Sequence, residues 1–322
     1  MEKAPPTTTS ANLARAVKDE LAKVIVGLDE ALDALIVSLL TGGHLLLEGV
    51  PGLAKTMLAK AFAKTLGVSF RRIQFTSDIL PSDILGGFIF NRKTSEFEFR
   101  PGPIFANIVL VDEINRAPPR SQSALLEAMQ ERQVTVEGHT YQLPDPFLVI
   151  ATQNPIELEG TYPLPEAEVD RFMMRVNLSY PEPHQEMRIL AYKSVYGDIL
   201  PIMEAVEPEL LDAAIEEVKA VRVHPDIIEY IVRLVSASRR DHRLIIGASP
   251  RAEIALLYAA KAGAAMSGRV YVVPEDVKRF FFDVINHRLV LKPEYVSFSR
   301  RPDYAQLRTI VDSYLSSTEV PR

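Results

Sequence analysis

The sequence predicts an α/β fold, a parallel sheet flanked by helices, followed by a smaller all-helical domain. Three observations carry that expectation. Short continuous apolar runs, His44-Leu45-Leu46-Leu47, Ile108-Val109-Leu110-Val111 and Phe147-Leu148-Val149-Ile150, alternate with helical or loop stretches, as strands buried on both faces do. The first run opens directly into Gly49-Val50-Pro51-Gly52-Leu53-Ala54-Lys55-Thr56, a turn that leads into a helix. After Pro181-Glu182-Pro183, where two prolines one residue apart stop regular structure, the β-type runs largely disappear.

Taken in order, Met1 to Ser10 holds two prolines and three threonines without an apolar core, and reads as a disordered lead rather than a secretory signal. Ala11 to Val24 sets Leu13, Val17, Leu21 and Val24 at helical spacing, and Leu28 to Leu40 repeats the pattern after Val26-Gly27. Met57 to Leu66 is expected as a helix stopped by Gly67, then Ser69 to Phe75 as a strand. Two ribbons interrupt the core. Gly86 to Phe90 and Phe97 to Phe99 flank Asn91 to Ser95, with aromatics on one face of each strand, and Gln133 to Val136 pairs with Thr140 to Leu143 across Glu137-Gly138. The α/β domain spans residues 11–180. Residues 184–322 form the helical domain and tail, with helices over 209–219, 226–238, 250–266 and 274–286.

With 322 residues, 47% hydrophobic and 24% charged, the chain has material for two domains and a sizeable core. A net charge of -6 lacks the bulk electrostatic footprint of a general nucleic-acid binder. The absence of cysteine excludes disulfides, thiolate catalysis and cysteine metal sites, and suits a cytoplasmic location. Ala34 to Leu47, the richest apolar stretch, is broken by Thr41-Gly42-Gly43-His44, so no membrane span is expected. The six histidines, His44, His184 and His287 among them, lack metal-ligand spacing and read as structural or solvated. Ser77, Asp78, Ser82 and Asp83 have no histidine spaced to complete a triad and read as turn and cap residues.

The chemistry sits at the ends of the apolar runs. A loop opening a helix aims backbone N–H groups at an anion, Lys55 adds a point charge for terminal phosphates, and Thr56 offers a hydroxyl to Mg2+. Ala54 stands where the Walker A pattern expects its second glycine; one methyl is tolerated there if φ stays negative. Asp112-Glu113 closes the second apolar run, so that Asp112 would lie beside a metal held by Thr56 and Glu113 would polarise an attacking water. Thr152-Gln153-Asn154 ends the third run, with Asn154 between the two elements and able to orient water.

This order of motifs resembles the AAA+ ATPases and, within them, the MoxR family, in the branch that carries a helix-2 insert and is similar to magnesium chelatase. The resemblance covers nearly the whole chain after residue 10. It rests on Gly49 to Thr56, Asp112-Glu113-Ile114-Asn115-Arg116-Ala117, Ala151-Thr152-Gln153-Asn154-Pro155, Glu166-Ala167-Glu168-Val169-Asp170-Arg171-Phe172 and Ser249-Pro250-Arg251. It implies an AAA+ P-loop core with an all-α lid, and makes alanine at position 54 a family feature. It assigns sensor 1 to Asn154, the arginine finger to Arg171 and sensor 2 to Arg251. For Arg171 the plain alternative is a surface ion pair with Asp170, worth little. For Arg251, one residue past the N1 position of a helix, the plain alternative is a nearby carboxylate. Arg116 and Arg120 rank below Arg171 as interface residues.

The catalytic candidates are therefore Lys55, Glu113, Asn154, Arg171 and Arg251. Gly49, Val50, Pro51, Gly52, Leu53, Ala54, Lys55 and Thr56, with Val26 and Gly27, are expected to contact the nucleotide, and Thr56 and Asp112 the metal. The implied cofactors are ATP and Mg2+. The implied assembly is a homo-oligomer, a hexameric ring. The implied work is chaperone-like remodelling or maturation of client proteins, metal insertion included, with a von Willebrand factor A-domain partner and with the ribbons facing a central pore. A DNA or RNA translocase on the same core is the competing reading, weakened by Glu96 and Glu98 beside Arg92 and Lys93. A non-catalytic nucleotide-gated scaffold is the third, opposed by the presence of both Glu113 and Arg171.

Overall fold

A computed structural model describes residues 8–155, 160–197, 199–296 and 304–321. The first part contains helices α1 (Thr9–Leu21) and α2 (Asp29–Thr41), strand β1 (Leu45–Glu48), α3 (Lys55–Thr65), β2 (Phe70–Gln74), α4 (Pro81–Leu85), β3 (Gly86–Asn91) and β4 (Glu96–Pro101). It continues with β5 (Ile108–Asp112), α5 (Pro119–Glu131), β6 (Gln133–Val136), β7 (His139–Gln142), β8 (Leu148–Gln153), α6 (Glu166–Val169) and β9 (Met174–Asn177). The second part holds α7 (Pro183–Tyr196), α8 (Pro208–Ala220), α9 (Pro225–Arg239), β10 (Leu244–Ile246), α10 (Pro250–Met266), α11 (Pro274–Ile285), β11 (Val290–Leu291) and α12 (Tyr304–Ser317).

Five strands form one sheet in the order β2-β5-β8-β1-β9, every pair parallel. β1 therefore lies between β8 and β9, and the carboxyl ends of β1, β5 and β8 open on one side, where ligands bind in open α/β sheets. Alternate residues feed two cores. Leu45, Leu47, Leu110 and Ile150 face α1, α2, α3 and the lid helices, whereas Leu46, Val109, Val111 and Val149 face α4 and α5.

The first core does not stop at residue 180. Leu13, Val17 and Leu21 of α1 are buried in the same apolar cluster as Leu211 and Ala214 of α8 and Ala262 of α10. The lead assigned to residues 1–10 is corrected at its end: Thr8 caps α1, Thr8 Oγ1 donates to Ala265 O at 2.7 Å, and Ser10 Oγ donates to Glu217 Oε2 at 2.6 Å. These bonds give polar residues a buried anchor that their composition hides. Residues 1–7 lie outside the described residues. Several elements were not expected from the sequence, among them α12, which falls in the stretch read as a tail, and α5, α7 and β9. α7 buries no residue outright, only Gln185, Ile189 and Tyr192 being half-buried; β9 is four residues long with Arg175 and Asn177 in it; α5 opens with proline after an irregular segment.

Both ribbons form as antiparallel pairs, and the aromatics share a face: Phe88 lies opposite Phe99 and Phe90 opposite Phe97. Tyr141 of the second ribbon stacks on Phe99, with centroids 3.9 Å apart, and His139 lies 5.6 Å from Phe88. The ribbons thus clasp each other. At the tip Phe90 and Phe97 meet edge-on, with ring centroids 5.3 Å apart, yet remain 53% and 69% exposed. At the base, a Cβ on Gly102 would come 2.3 Å from Ile84 O, so only glycine lets the strands close there.

His44 and His287 are buried and structural; Asp83 bonds the Leu80 N–H, as a cap residue should. Among the described residues no helix is long and apolar enough to cross a membrane. His44 accepts from Val149 N at 3.0 Å through Nδ1, and its Nε2 lies 3.0 Å from Met129 O. Burial pushes its imidazole down to about 4 from 6.5. The unfolded chain thus binds the proton first as pH falls, and the stabilisation by neutral His44 is complete above pH 6.5 and lost towards pH 4.

Two outcomes follow for stability. Denaturant unfolding from pH 7 to 4 should show a decline of which about 3 kcal/mol is removed by His44→Gln, a slope unaffected by that change counting against it. Ser10→Ala should lower unfolding free energy by about 1–2 kcal/mol in the same assay, where a dispensable lead would give no change.

Candidate active site

β1 ends at Glu48, and the chain turns through Gly49 to Ala54 before α3 begins at Lys55. Lys55 Nζ folds back over this loop, donating to Gly49 O at 2.5 Å and Val50 O at 3.4 Å. Burial lowers its pKa from the usual lysine value, opposed by the charges of Asp112, Glu113 and Glu48. A cation surrounded by three carboxyls at a helix N-terminus is placed to bridge anionic phosphate to acidic side chains.

Ala54 departs from the sequence expectation. Its φ is 55° and ψ 22°, so the alanine accepted on condition of a negative φ sits in the left-handed region that glycine favours. The tight entry into α3 dictates the backbone, and alanine bears the strain.

Asp112, buried at the end of β5, is contacted from three elements. Thr56 Oγ1 on α3 lies 3.4 Å from Oδ2, Arg72 Nε on β2 donates to Oδ2 at 2.6 Å, and Thr152 Oγ1 on β8 donates to Oδ1 at 3.1 Å. Thr152 Oγ1 also accepts from Glu113 N at 3.0 Å, which holds Glu113 in a left-handed turn with φ 60°. The Glu113 carboxyl accepts from Gln74 Nε2 at 2.8 Å and pairs with Arg116 Nε at 3.1 Å. Asn154 is buried one residue beyond β8. Lys55, Thr56, Asp112, Glu113 and Asn154 thus meet at one end of the sheet, as the sequence predicted. Arg72 and Gln74 were missed. Their sole signal was alternation in the strand beside the one that ends in Asp112-Glu113.

Thr56 and Asp112 present one hydroxyl and one carboxylate, the small oxygen set that suits Mg2+ bound chiefly through phosphates and water. No cluster of three or more acidic, histidine or cysteine side chains able to hold a metal alone occurs among the described residues.

Val26 is half-buried and Gly27 exposed, with Gln185 of α7 close against Gly27. The same segment brings Leu178 against Gly49, so 178–185 runs between Gly27 and the loop.

Arg171 and Arg251 do not join this cluster. They line a pocket with Thr41, Gly42 and Met173, and Met173 N donates to His44 O, at the start of β1. From Leu45 to Glu48 the strand rises roughly 10 Å, and the loop lies beyond it. The local pair expected as the plain reading of Arg171 does not form. Asp170 is taken instead by Arg288 Nε at 2.6 Å and Ser249 Oγ at 3.1 Å, and Arg251 approaches it at 3.9 Å. Arg171 has no side-chain partner among the described residues. Ser249 caps α10 by accepting from Arg251 N at 3.2 Å, with Pro250 at the first helical position, as predicted.

Comparison with known proteins places the chain among relatives of the same fold. Residues 44–174 match the family model of the ATPase family associated with various cellular activities (AAA), and residues 236–308 match the AAA lid domain. The chain is 45% identical to the uncharacterized protein YeaC of Bacillus subtilis, over 94% of this chain and 93% of that protein. It is 41% identical to Chaperone MoxR1 of Mycobacterium tuberculosis, over 94% of this chain and 81% of that protein. A solved structure of an ATPase candidate from Cytophaga hutchinsonii superposes with a TM-score of 0.88 at 40% identity, covering 98% of this chain and 96% of that one.

Relief of the strain at position 54 is measurable. Ala54→Gly should raise the unfolding free energy by about 0.5–1 kcal/mol; a loss of stability would mean the alanine methyl, not the backbone, governs this turn.

Proposed function

The chain belongs to the MoxR family of AAA+ ATPases, and on that premise we propose that it hydrolyses ATP at sites shared between adjacent copies of itself. One observation carries the sharing: Arg171, without a side-chain partner among the described residues, and Arg251 stand at the end of the sheet away from their own nucleotide loop. An arginine side chain is too short to span that separation, so each pair serves a neighbour's site. Such a head-to-tail contact closes into a ring, hexameric by family likeness.

In this reading the N–H groups of Gly49 to Ala54 cradle the phosphates, and Lys55 leaves the loop carbonyls to meet them. Val26 and Gly27 flank the base. Thr56 and Asp112 would hold Mg2+, which offsets charge on the phosphate oxygens when bound with ATP. Glu113, released from Gln74 and Arg116, accepts a proton from the attacking water, and Asn154 orients that water. The neighbour's Arg171 stabilises charge that develops in the transition state, assisted by Arg251.

The exposed Phe90 and Phe97 tip supports a protein client rather than a nucleic acid, since a phosphate track needs cations along its length. The name of the chaperone relative supports remodelling as the work. Family likeness adds maturation of clients, metal insertion included, a von Willebrand factor A-domain partner, and a cytoplasmic location.

Arg171→Ala should assemble and bind ATP as the parent does while turnover falls by roughly 1000-fold or more. Near-normal turnover in an assembled variant would reject the role. Trapping the ATP state with Glu113→Gln and identifying bound proteins by mass spectrometry tests the client class. An A-domain protein supports the reading, and a nucleic-acid repair complex together with DNA-stimulated turnover contradicts it.

A further inference from the structure

Resting on the shared site above, we propose that a polar chain within each protomer, Glu48–Arg175–Asn286–Arg288–Asp170, ties its own nucleotide loop to the arginine it presents to the next protomer. The hydrolysis chemistry uses none of these residues. All but Asp170 and Arg175 are buried outright, and those two are half-buried.

The chain begins one residue before Gly49. Tyr304 Oη of α12 donates to Glu48 Oε2 at 2.5 Å, and Arg175 Nη1 lies 3.7 Å from the same oxygen. Arg175 is in turn forked onto one residue: its Nε donates to Asn286 Oδ1 at 2.6 Å and its Nη2 to Asn286 O at 3.0 Å, while Asn286 Nδ2 returns a bond to Arg175 O at 2.9 Å. Its guanidinium also lies 5.2 Å from the Tyr304 ring centroid.

Asn286 opens a 3-10 turn that ends at Arg288, and this turn grips both sides of Arg171. Arg288 Nε donates to Asp170 Oδ1 at 2.6 Å, Nη2 to Phe172 O at 2.7 Å and Nη1 to Met173 O at 3.2 Å, with Val284 O a further partner. His287 Nε2 lies 3.1 Å from Phe172 O. Arg171 is therefore held by the residues before and after it, its own guanidinium left for another partner.

A guanidinium has five donors in a fixed fork, so a move of either acceptor breaks bonds rather than stretching them. Packed interiors respond to such a break by shifting between discrete arrangements. A change at the loop that displaces Glu48 alters its 3.7 Å ion pair with Arg175, and through Arg175's bonds to Asn286 it reaches the 286–288 turn and the Asp170–Phe172 segment. Arg175 and Arg288 are thus positioning residues for hydrolysis at the neighbouring site.

The test uses mixed assemblies of two variants. One protomer carries Arg171→Ala with an intact loop; the other carries Glu113→Gln, cannot hydrolyse, and supplies Arg171. All turnover then arises where the second protomer's arginine completes the first protomer's site. Adding Glu48→Gln to the second protomer alters it only at the far end of the chain. Turnover should fall by about five-fold or more, with KM for ATP unchanged and assembly intact by light scattering. Tyr304→Phe in the same protomer, which removes a single hydroxyl, should lower turnover in the same direction and serves where Glu48→Gln fails to assemble. Full turnover in assembled mixtures with either change overturns the coupling and leaves the shared site standing. No turnover in the mixture without them overturns the shared site and the coupling with it.

Discussion

Asp112 receives a threonine from the helix after the nucleotide loop, an arginine from the edge strand and a second threonine from the strand between β1 and β5. A buried carboxylate is tolerable only when its oxygens are satisfied, and here the partners come from α3, β2 and β8 at once. The parallel order β2-β5-β8-β1-β9 makes this possible, because it sets the carboxyl ends of β5, β8 and β1 side by side. Glu113 inherits its orientation from the same arrangement through Thr152, and Lys55 is held near the acids by the loop that follows β1. Sheet order and site chemistry are one constraint.

Arg171 is placed by exclusion. With Asp170 committed to Arg288 and Ser249, Arg171 carries an uncompensated charge at the surface, where hydration makes that inexpensive. Its place is at the opposite end of the sheet from the loop, which is the basis of the proposed sharing of sites between copies. In the proposed arrangement each copy would supply the loop, the carboxylates and Asn154 to its own site and its arginines to a neighbour's. The lid contributes to these surroundings, since α10 carries Arg251 and the 286–288 turn carries Arg288.

The strands that hold the site were legible because full burial demands continuous apolar runs, and their ends carry chemistry in the same few residues. Helices α8 to α11 were legible from period, and α10 and α11 also from the prolines that open them. α7 and β9 were not, because one buries no residue outright and the other is a short strand with polar alternate positions. The polar anchor of α1 on the lid escaped because Thr8 and Ser10 find their partners, Ala265 and Glu217, over 200 residues away. Ala54 was read correctly as a member of the loop and wrongly as to backbone, since no pattern of residue types reports φ when a strained alanine is retained. Arg288 and Arg175 left no local signal, because their meaning lies in carbonyls and carboxyls brought near by folding.

The claim on which this account turns is that the arginine of one copy completes the site of another. A cryo-electron microscopy structure of the ATP-bound Glu113→Gln assembly measures it directly. A ring is expected in which the Arg171 guanidinium of each protomer lies within about 4 Å of the terminal phosphate held by its neighbour's Lys55 and Thr56. Arg171 facing solvent or a residue of its own chain in a fully ATP-loaded ring would contradict it.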